Sequence, residues 1–283
     1  MATIYQIIVS VIIGLVQAIS EWLPISSKTQ VLGVTQLLLK LNFSQAYTFG
    51  LFMEVGTLIA AIIYFRRELW SLITVLLGSK DAMRRKLFVY ALTTTIITGI
   101  IGAPLYLYAD SLTSVPIGLP MILIGLVLIA DAFIIHYARK RHEAGANLRK
   151  FESMGMRDYI VVGIMQGISA LPGVSRSGIT TSTLLLLDIE ADEAFRLSFI
   201  IGIFATAAAF LLTIVASKAN VTAALAGIST LGLVIAIITA TIASLFLIDF
   251  LIKIARKSNI SYLISALGVI AITSGILYLI FGL

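Results

Sequence analysis

The 283-residue chain contains no cysteine, and charged residues make up only 12% of it. Without a thiol the protein can form no disulfide bond, and no thiolate can serve as a nucleophile or a metal ligand. Hydrophobic residues make up 59% of the sequence, and the mean hydropathy is +1.06. So few charges in so apolar a chain exclude an ordinary soluble domain and indicate an all-α integral membrane protein. We expect one membrane domain over residues 1–283.

Two stretches place polar residues inside otherwise apolar sequence, from Gly14 to Lys28 and from Gly163 to Gly178. They align residue by residue at Gly14/Gly163, Gln17/Gln166 and Ser20/Ser169, and after a one-residue shift at Pro24/Pro172 and Ser27/Ser175. We interpret the two stretches as copies of one structural unit.

The hydrophobic pattern predicts six transmembrane helices, since a crossing helix needs about 20 apolar residues. They are predicted at 47–65, 87–108, 117–138, 193–216, 223–252 and 259–281. Shorter apolar limbs flank the two polar stretches, at 3–24 with 29–41 and at 158–171 with 177–188. Such limbs predict two re-entrant helix hairpins. The chain then divides into one repeat of about residues 1–138, a charged loop at 139–157 and a second repeat of about residues 158–283.

The basic residues predict the orientation in the membrane. Most of the 20 lysines and arginines fall on one face of this topology, which the positive-inside rule makes cytoplasmic. The linker 139–157 lies on that face, and the two hairpins enter from opposite sides, as in an inverted-topology repeat. The net charge of +6 favours anionic membrane lipids over nucleic acid as a partner. We expect a multi-pass protein of the cell membrane.

Four ionisable residues lie in or near apolar segments, where they are costly and usually functional: Glu21, Lys28, Glu54 and Arg176. Ser175, Ser177 and Gly178 surround Arg176 at the start of a short predicted helix. A guanidinium, hydroxyls and free helix N–H groups all donate to oxyanions, so this arrangement suits a phosphate. The alternative is that Arg176 only neutralises Glu21 or Glu54 across the two repeats.

Residues 20–27, Ser-Glu-Trp-Leu-Pro-Ile-Ser-Ser, resemble the Glu-Phe-Leu-Pro-Val-Ser-Ser signature of the undecaprenyl-diphosphate phosphatase (bacitracin-resistance) family. Residues 171–180 resemble the second signature of the same family. The resemblance in length, hairpins and spans covers nearly the whole chain. It implies removal of the terminal phosphate from a long polyprenyl diphosphate, at a site facing outside. The product would be the monophosphate lipid carrier used in cell-envelope glycan assembly.

The resemblance also implies roles for individual residues. Ser27 becomes the candidate nucleophile, Glu21 a metal ligand or acid/base group, and Arg176 the clamp on the diphosphate. Further substrate contacts are expected from Gln17, Ser26, Lys28, Thr29, Gln30, Gln166, Ser175, Ser177, Gly178 and Thr180.

This chain departs from the family pattern at the position that should activate the serine. Family members usually have a Thr-Gly-His run where this chain has Lys28, Thr29 and Gln30. A serine hydroxyl needs a nearby base, and Gln30 cannot take a proton. Either Glu21 fills that role, or a water molecule bound to a metal ion replaces Ser27 as nucleophile.

A second departure concerns the carboxylates. The family usually has a glutamate where this chain has Gln17, and a glutamine where this chain has Glu54. We expect Glu21 and Glu54 to hold a divalent cation, Mg²⁺ or Ca²⁺, because such ions prefer oxygen ligands. In the alternative interpretation, Glu54 pairs with Lys28 or Arg176 and holds no metal.

The sequence therefore predicts a membrane phosphatase acting on a polyprenyl diphosphate lipid. A non-hydrolytic transporter, or flippase, of polyprenyl phosphate carriers is the alternative, because inverted repeats would serve it directly. The pattern is compatible with a homodimer. Asp131 and Asp249 fall near predicted cytoplasmic helix ends, where we expect both to pair with basic residues.

The topology can be tested with single cysteines, because the chain has none of its own. Ser111→Cys should react with a membrane-impermeant thiol reagent added from outside, and Ser79→Cys should react only from the cytoplasmic side. Labelling of both positions from one side would contradict the predicted orientation.

Overall fold

A computed structural model of the protein describes residues 4–23, 27–41, 43–111, 118–143, 148–171, 174–216, 222, 225–257 and 261–281. These ranges are helical apart from short connections and one isolated parallel bridge between Arg149 and Ile189. The prediction of an all-α protein is confirmed.

The α-helices are named here in chain order. They are α1 (Ile4–Trp22), α2 (Ser27–Leu39), α3 (Phe43–Tyr64), α4 (Arg66–Leu76), α5 (Ala82–Ser111), α6 (Gly118–Glu143), α7 (Met156–Ile168), α8 (Arg176–Leu186), α9 (Ala191–Ala216), α10 (Thr230–Lys257) and α11 (Ser261–Phe281). A 3-10 turn at Phe151–Ser153 precedes α7.

Five helices of the described chain are long and apolar enough to cross a membrane, namely α1, α3, α5, α9 and α10. The last four correspond to predicted spans. The two other predicted spans, 117–138 and 259–281, coincide with α6 and α11, whose described apolar stretches are shorter. The sequence prediction made α1 one limb of a hairpin, yet its 19 residues are long enough to cross by themselves. The count of six spans therefore stays a prediction.

Helix packing brings the two polar stretches to the centre of the protein. Helix α1 packs along α10 and α2, while α7 packs along α5 and α8. Helices α3 and α9 pack against each other between these groups, and α6 lies along α11. Next to the first polar stretch, the Trp22 ring meets the Phe199 ring edge-on with centroids 5.0 Å apart.

The aligned glycines Gly14 and Gly163 each allow a close approach between two of these helices. A Cβ atom at Gly14 would lie 2.5 Å from the Ala236 carbonyl oxygen of α10. A Cβ atom at Gly163 would lie 2.9 Å from Ile97 Cβ of α5. Small residues at such points let two helix backbones pack tightly within a membrane.

The predicted loop at 139–157 contains helical residues. Helix α6 continues to Glu143, so the prediction that the loop begins at Arg139 was wrong. Beyond the undescribed residues, Arg149 donates to both carboxylate oxygens of Asp158, the nearer at 2.7 Å. This hydrogen bonding to Asp158 raises the pKa of Arg149 above its ordinary value. The ion pair ties the linker to the first turn of α7.

Replacing Gly14 tests the contact between α1 and α10. Gly14→Ala should lower the thermal stability of the purified protein, by about 1–3 kcal/mol of unfolding free energy, because the added methyl group overpacks the contact. Gly33→Ala is the matched control, since a Cβ atom at Gly33 would meet nothing within 4 Å. Equal stability of the two variants would show that α1 does not approach α10 so closely.

Candidate functional site

Glu21 lies at the centre of the candidate site, in the last turn of α1, and is 6% exposed. The hydroxyl of Ser27, the first residue of α2, donates to Glu21 Oε2 at 2.6 Å. Gln17, one turn before Glu21, donates its amide N–H to the same oxygen at 3.1 Å. Arg176 of the second polar stretch forms an ion pair with the other oxygen, Oε1. Both carboxylate oxygens therefore have partners.

Arg176 is the first residue of α8, and its neighbours hold the start of that helix in place. Ser175 is the N-cap and accepts a hydrogen bond from the Gly178 N–H at 3.2 Å, which satisfies one of the free donors at a helix start. Ser177 donates to the Glu21 carbonyl oxygen at 3.1 Å. The two polar stretches thus bind each other through backbone as well as side-chain groups.

Gly202 of α9 sets the place of the Arg176 guanidinium. A Cβ atom at this position would lie 1.7 Å from Arg176 Nη1, so the guanidinium lies directly against the backbone of α9. The sequence analysis missed Gly202, because one glycine in an apolar helix carries no signal of such a contact.

Glu54 is 4% exposed and lies in α3. Among the residues that the structure describes, none donates a hydrogen bond to its carboxylate or lies within ion-pair distance of it. Glu21, Lys28 and Arg176 nevertheless lie close enough to interact with it electrostatically. The expected direct pairing of Glu54 with Lys28 or Arg176 is thus not seen in this part of the chain.

A small pocket of about 20 Å³, the elbow pocket, lies between the two polar stretches. Its lining consists of Ser20, Glu21, Ser27, Lys28, Glu54, Val174, Ser175, Arg176 and Ser177. It offers room for little more than one water molecule, which needs about 10–15 Å³. A larger group must therefore reach these residues from a neighbouring space.

That space is the site cavity, which has a volume of about 270 Å³ and shares Lys28, Glu54 and Arg176 with the elbow pocket. Gln166 adds a polar group; its amide N–H donates to Thr98 at 3.0 Å. The remaining walls are mainly small residues, among them glycines and alanines of α5 and α9. The cavity therefore has one charged end and an apolar body, which is suited to an amphiphile.

The structure brings together most of the residues predicted to act on a substrate. The members that line the elbow pocket or the site cavity are Glu21, Ser27, Lys28, Glu54, Gln166, Ser175, Arg176 and Ser177. Gln17 reaches them through Glu21. Ser26 and the side chain of Thr29 lie outside the described residues.

Three residues predicted to contact the substrate line neither the elbow pocket nor the site cavity. Thr180 donates to the Arg176 carbonyl oxygen at 2.7 Å and shares a hydrogen bond with Ser198, which joins α8 to α9. Gly178 takes part in the helix cap. Gln30 lies one turn after Ser27 on α2 and does not line either space.

Asp131 and Asp249 were expected to pair with basic residues. Asp249 does so, accepting a hydrogen bond from Lys253 at 2.5 Å. The expectation for Asp131 was wrong: it is 4% exposed and accepts a hydrogen bond from Ser182 of α8 at 2.7 Å. Its other oxygen is buried and has no partner among the described residues. Asp131 therefore ties α6 to the helix that carries Arg176.

The oxygen atoms around the site fit a hard divalent cation in part. The Glu54 carboxylate has no donor, and Gln17 Oε1 is buried without a partner within the described chain. Glu21, however, is already occupied by three donors. The described ranges hold no group of three or more acidic or histidine side chains placed for a metal ion. A cation here would take most of its ligands from substrate phosphates and water, as Mg²⁺ commonly does.

Known proteins of one name match this chain over nearly its whole length. An undecaprenyl-diphosphatase of Saccharolobus solfataricus is 47% identical over 272 residues, covering 96% of each chain. Proteins of the same name from Sulfurisphaera tokodaii and Pyrobaculum aerophilum are 43% and 40% identical. Those two alignments cover 94% and 96% of this chain, and 96% and 98% of the relatives.

A model of the family described as Bacitracin resistance protein BacA matches residues 10–273. This range contains both polar stretches and Glu54. The chain therefore belongs to the bacitracin resistance protein BacA family.

Proposed function

We propose that this protein hydrolyses a long-chain polyprenyl diphosphate, of the undecaprenyl type, to the monophosphate and inorganic phosphate. The observation that carries the proposal is the contact of the Ser27 hydroxyl with Glu21 Oε2 at 2.6 Å, beside the Arg176 guanidinium. A hydroxyl next to a carboxylate and a cation provides a nucleophile, a base and an oxyanion clamp. The chain belongs to the BacA family and has relatives named undecaprenyl-diphosphatase, and both findings support the same reaction.

Substrate binding would rearrange the ion pair. The diphosphate enters the site cavity and takes hydrogen bonds from the Arg176 guanidinium, whose planar fork matches phosphate oxygens. Lys28, at the same end of the cavity, adds a second positive charge. As Arg176 turns to the phosphates, Glu21 loses one donor and becomes free to accept a proton.

Transfer of the phosphoryl group then follows in two steps. Ser27 Oγ attacks the terminal phosphorus while its proton passes to Glu21, and the bond from that phosphorus to the bridging oxygen breaks. The polyprenyl monophosphate leaves, and the terminal phosphoryl group remains on Ser27. Glu21 passes its proton to the departing monophosphate and then takes one from a water molecule that attacks this phosphoserine. The bond to Ser27 Oγ breaks, the serine takes that proton from Glu21, and inorganic phosphate leaves. Glu21 thus does the work of the family histidine that Gln30 replaces.

A divalent cation, Mg²⁺ or Ca²⁺, is part of the proposal. Glu54 would hold it, with Glu21 and the amide oxygen of Gln17 nearby, and substrate phosphates would complete its ligands. Such an ion would neutralise charge on the phosphate oxygens during transfer. Its support is the Glu54 carboxylate, which has no donor among the described residues.

We also propose the inverted-topology repeat, with two re-entrant hairpins and a site facing outside the cell membrane. Its support is the packing of equivalent elements: α1 lies along α10 as α7 lies along α5, and α2 contacts α3 as α8 contacts α9. The aligned Gly14 and Gly163 stand at the corresponding close contacts. On this proposal, each repeat places one of the two polar stretches in the middle of the membrane.

Arg176→Lys tests the guanidinium clamp. A lysine keeps the charge but cannot bind two phosphate oxygens in parallel. The loss of one charged hydrogen bond, about 1.5–3 kcal/mol, should lower phosphate release about ten- to a few hundredfold. Arg196→Lys is the control, because Arg196 forms an exposed ion pair with Glu68 and should keep full activity. A fully active Arg176→Lys variant would show that Arg176 supplies only a point charge.

Ser27→Ala tests the nucleophile, with phosphate release from undecaprenyl diphosphate as the readout, in divalent cation and in chelator. If Ser27 attacks phosphorus, activity should fall by many orders of magnitude. If a water molecule attacks instead, the loss of one hydrogen bond should cost only about ten- to a few hundredfold. Glu21→Gln should lower phosphate release severely in both cases. Thr35→Val is the control, since the Thr35 hydroxyl donates to the Val31 carbonyl within α2.

The purified wild-type protein can also be used to distinguish hydrolysis of the lipid from its transport. Wild-type protein that binds the lipid tightly, releases no phosphate with any divalent ion and moves labelled lipid between leaflets would overturn the phosphatase proposal. Activity that survives complete chelation would remove the cation from it.

A further inference from the structure

A second large space, here called the apolar groove, lies between α3, α4, α5 and α9 and has a volume of about 470 Å³. Its walls consist of aliphatic and aromatic side chains, including those of Leu58, Leu72, Phe88 and Ala207. Thr95 is the only polar residue among those that line it. Nothing in the proposed chemistry uses this space.

The apolar groove adjoins the candidate site. Thr95 lines both the groove and the site cavity. A small space of about 10 Å³ is lined by Leu58 and Ile203, which also line the groove, and by Glu21 and Arg176 of the site. A space of about 10 Å³ holds no more than one water molecule. A molecule whose polar end lies at Arg176 would therefore reach the groove only after side chains at this boundary, such as that of Thr95, move aside.

We propose that the apolar groove holds the first isoprene units of the polyprenyl chain, while the diphosphate occupies the site cavity. The inference rests on the proposed function and on the outward-facing site. Lipid of the outer leaflet directs its polar head outward and its chain toward the cytoplasmic side. The groove has the matching direction, because it is formed by the end of α3, the start of α5 and α4, next to the basic residues of the predicted cytoplasmic face.

Thr95 marks the junction between the polar head and the apolar chain. Its hydroxyl is buried and has no hydrogen-bond partner within the described ranges. A buried hydroxyl without a partner is costly, and the oxygen that joins the prenyl chain to the diphosphate would supply one. Thr95 thus offers a polar contact for this oxygen at the boundary between the site cavity and the groove.

The size of the groove limits what it recognises. Its volume of about 470 Å³ is within the range of about 300–1,000 Å³ found for pockets of drug-sized ligands. A few isoprene units fit, and the rest of an undecaprenyl chain must remain in the bilayer. Catalytic efficiency should therefore depend on the first units and become independent of chain length beyond them.

The experiment compares phosphate release from dimethylallyl, geranyl, farnesyl and undecaprenyl diphosphates by the whole purified protein. For the wild type, kcat/KM should rise about tenfold or more from dimethylallyl to farnesyl diphosphate, because each added unit buries apolar surface. It should then level off at undecaprenyl diphosphate. The readout for each variant is the ratio of kcat/KM for the farnesyl compound to that for the dimethylallyl compound.

Ala207→Leu and Ala207→Phe fill the groove to increasing extents and should lower this ratio stepwise toward one. Gly99→Leu is the matched variant in the site cavity, where a Cβ atom on Gly99 would meet nothing within 4 Å. It should lower kcat/KM for all substrates and leave the ratio as in the wild type. Thermal unfolding of each variant checks that it is folded, and the milder Ala207→Leu keeps the test valid if the phenylalanine is not accommodated.

Three results would overturn the proposal. They are a wild-type ratio near one, a ratio that both Ala207 variants leave unchanged, and a ratio that collapses in Gly99→Leu. The second would mean that ordinary membrane lipid fills the groove, and the third that the chain lies in the site cavity. Failure of the wild type to release phosphate from any of the four compounds would instead contradict the proposed phosphatase function.

Discussion

The ion pair between Glu21 and Arg176 is the interaction on which the site depends. Each residue belongs to a different polar stretch, and both are largely buried in an apolar protein, where an isolated charge is costly. Glu21 offsets that cost with donors from Ser27, Gln17 and Arg176. Removing one member of a buried pair leaves the other uncompensated, typically at a cost of about 3–5 kcal/mol. The contacts that orient the proposed catalytic groups therefore also hold the two stretches together.

Packing around the pair makes this geometry possible. Gly202 lets the guanidinium lie against α9, and Ser175 caps the helix that starts at Arg176. Farther along α8, Ser182 is bound by Asp131 of α6. The guanidinium is thus positioned by its contact with α9, by the cap of its own helix, and by the hydrogen bond that ties this helix to α6. On the proposed mechanism, the guanidinium would exchange the Glu21 carboxylate for a phosphate without a large movement of the backbone.

Much of the site could be predicted from the sequence because Gln17, Glu21 and Ser27 belong to one continuous stretch, where local spacing places them together. The roles of Gly202 and Thr95 could not be predicted. Gly202 contacts Arg176, and Thr95 lines two spaces, only because of which helices pack side by side. Asp131 was misjudged for the same reason: its distance along the chain from the basic residues is short, but helix packing turns it toward Ser182. Helix α4 was also missed, because Arg66, Arg67 and Glu68 lower the hydropathy of its first turn.

The proposed repeat also explains why the protein has two polar stretches that are related but differ in chemistry. Gln17 and Gln166 occupy equivalent places, yet Gln17 donates to Glu21 and Gln166 to Thr98. The difference follows from the sequence, since Ala170 stands where the first stretch has Glu21. With the one-residue shift, Lys28 and Arg176 are equivalent as well, and both line the site cavity. The first polar stretch therefore contributes the carboxylate of Glu21 and the hydroxyl of Ser27, and each stretch contributes one cation. The proposed symmetry brings the two polar stretches together, and the carboxylate comes from a position at which they differ, Glu21 against Ala170.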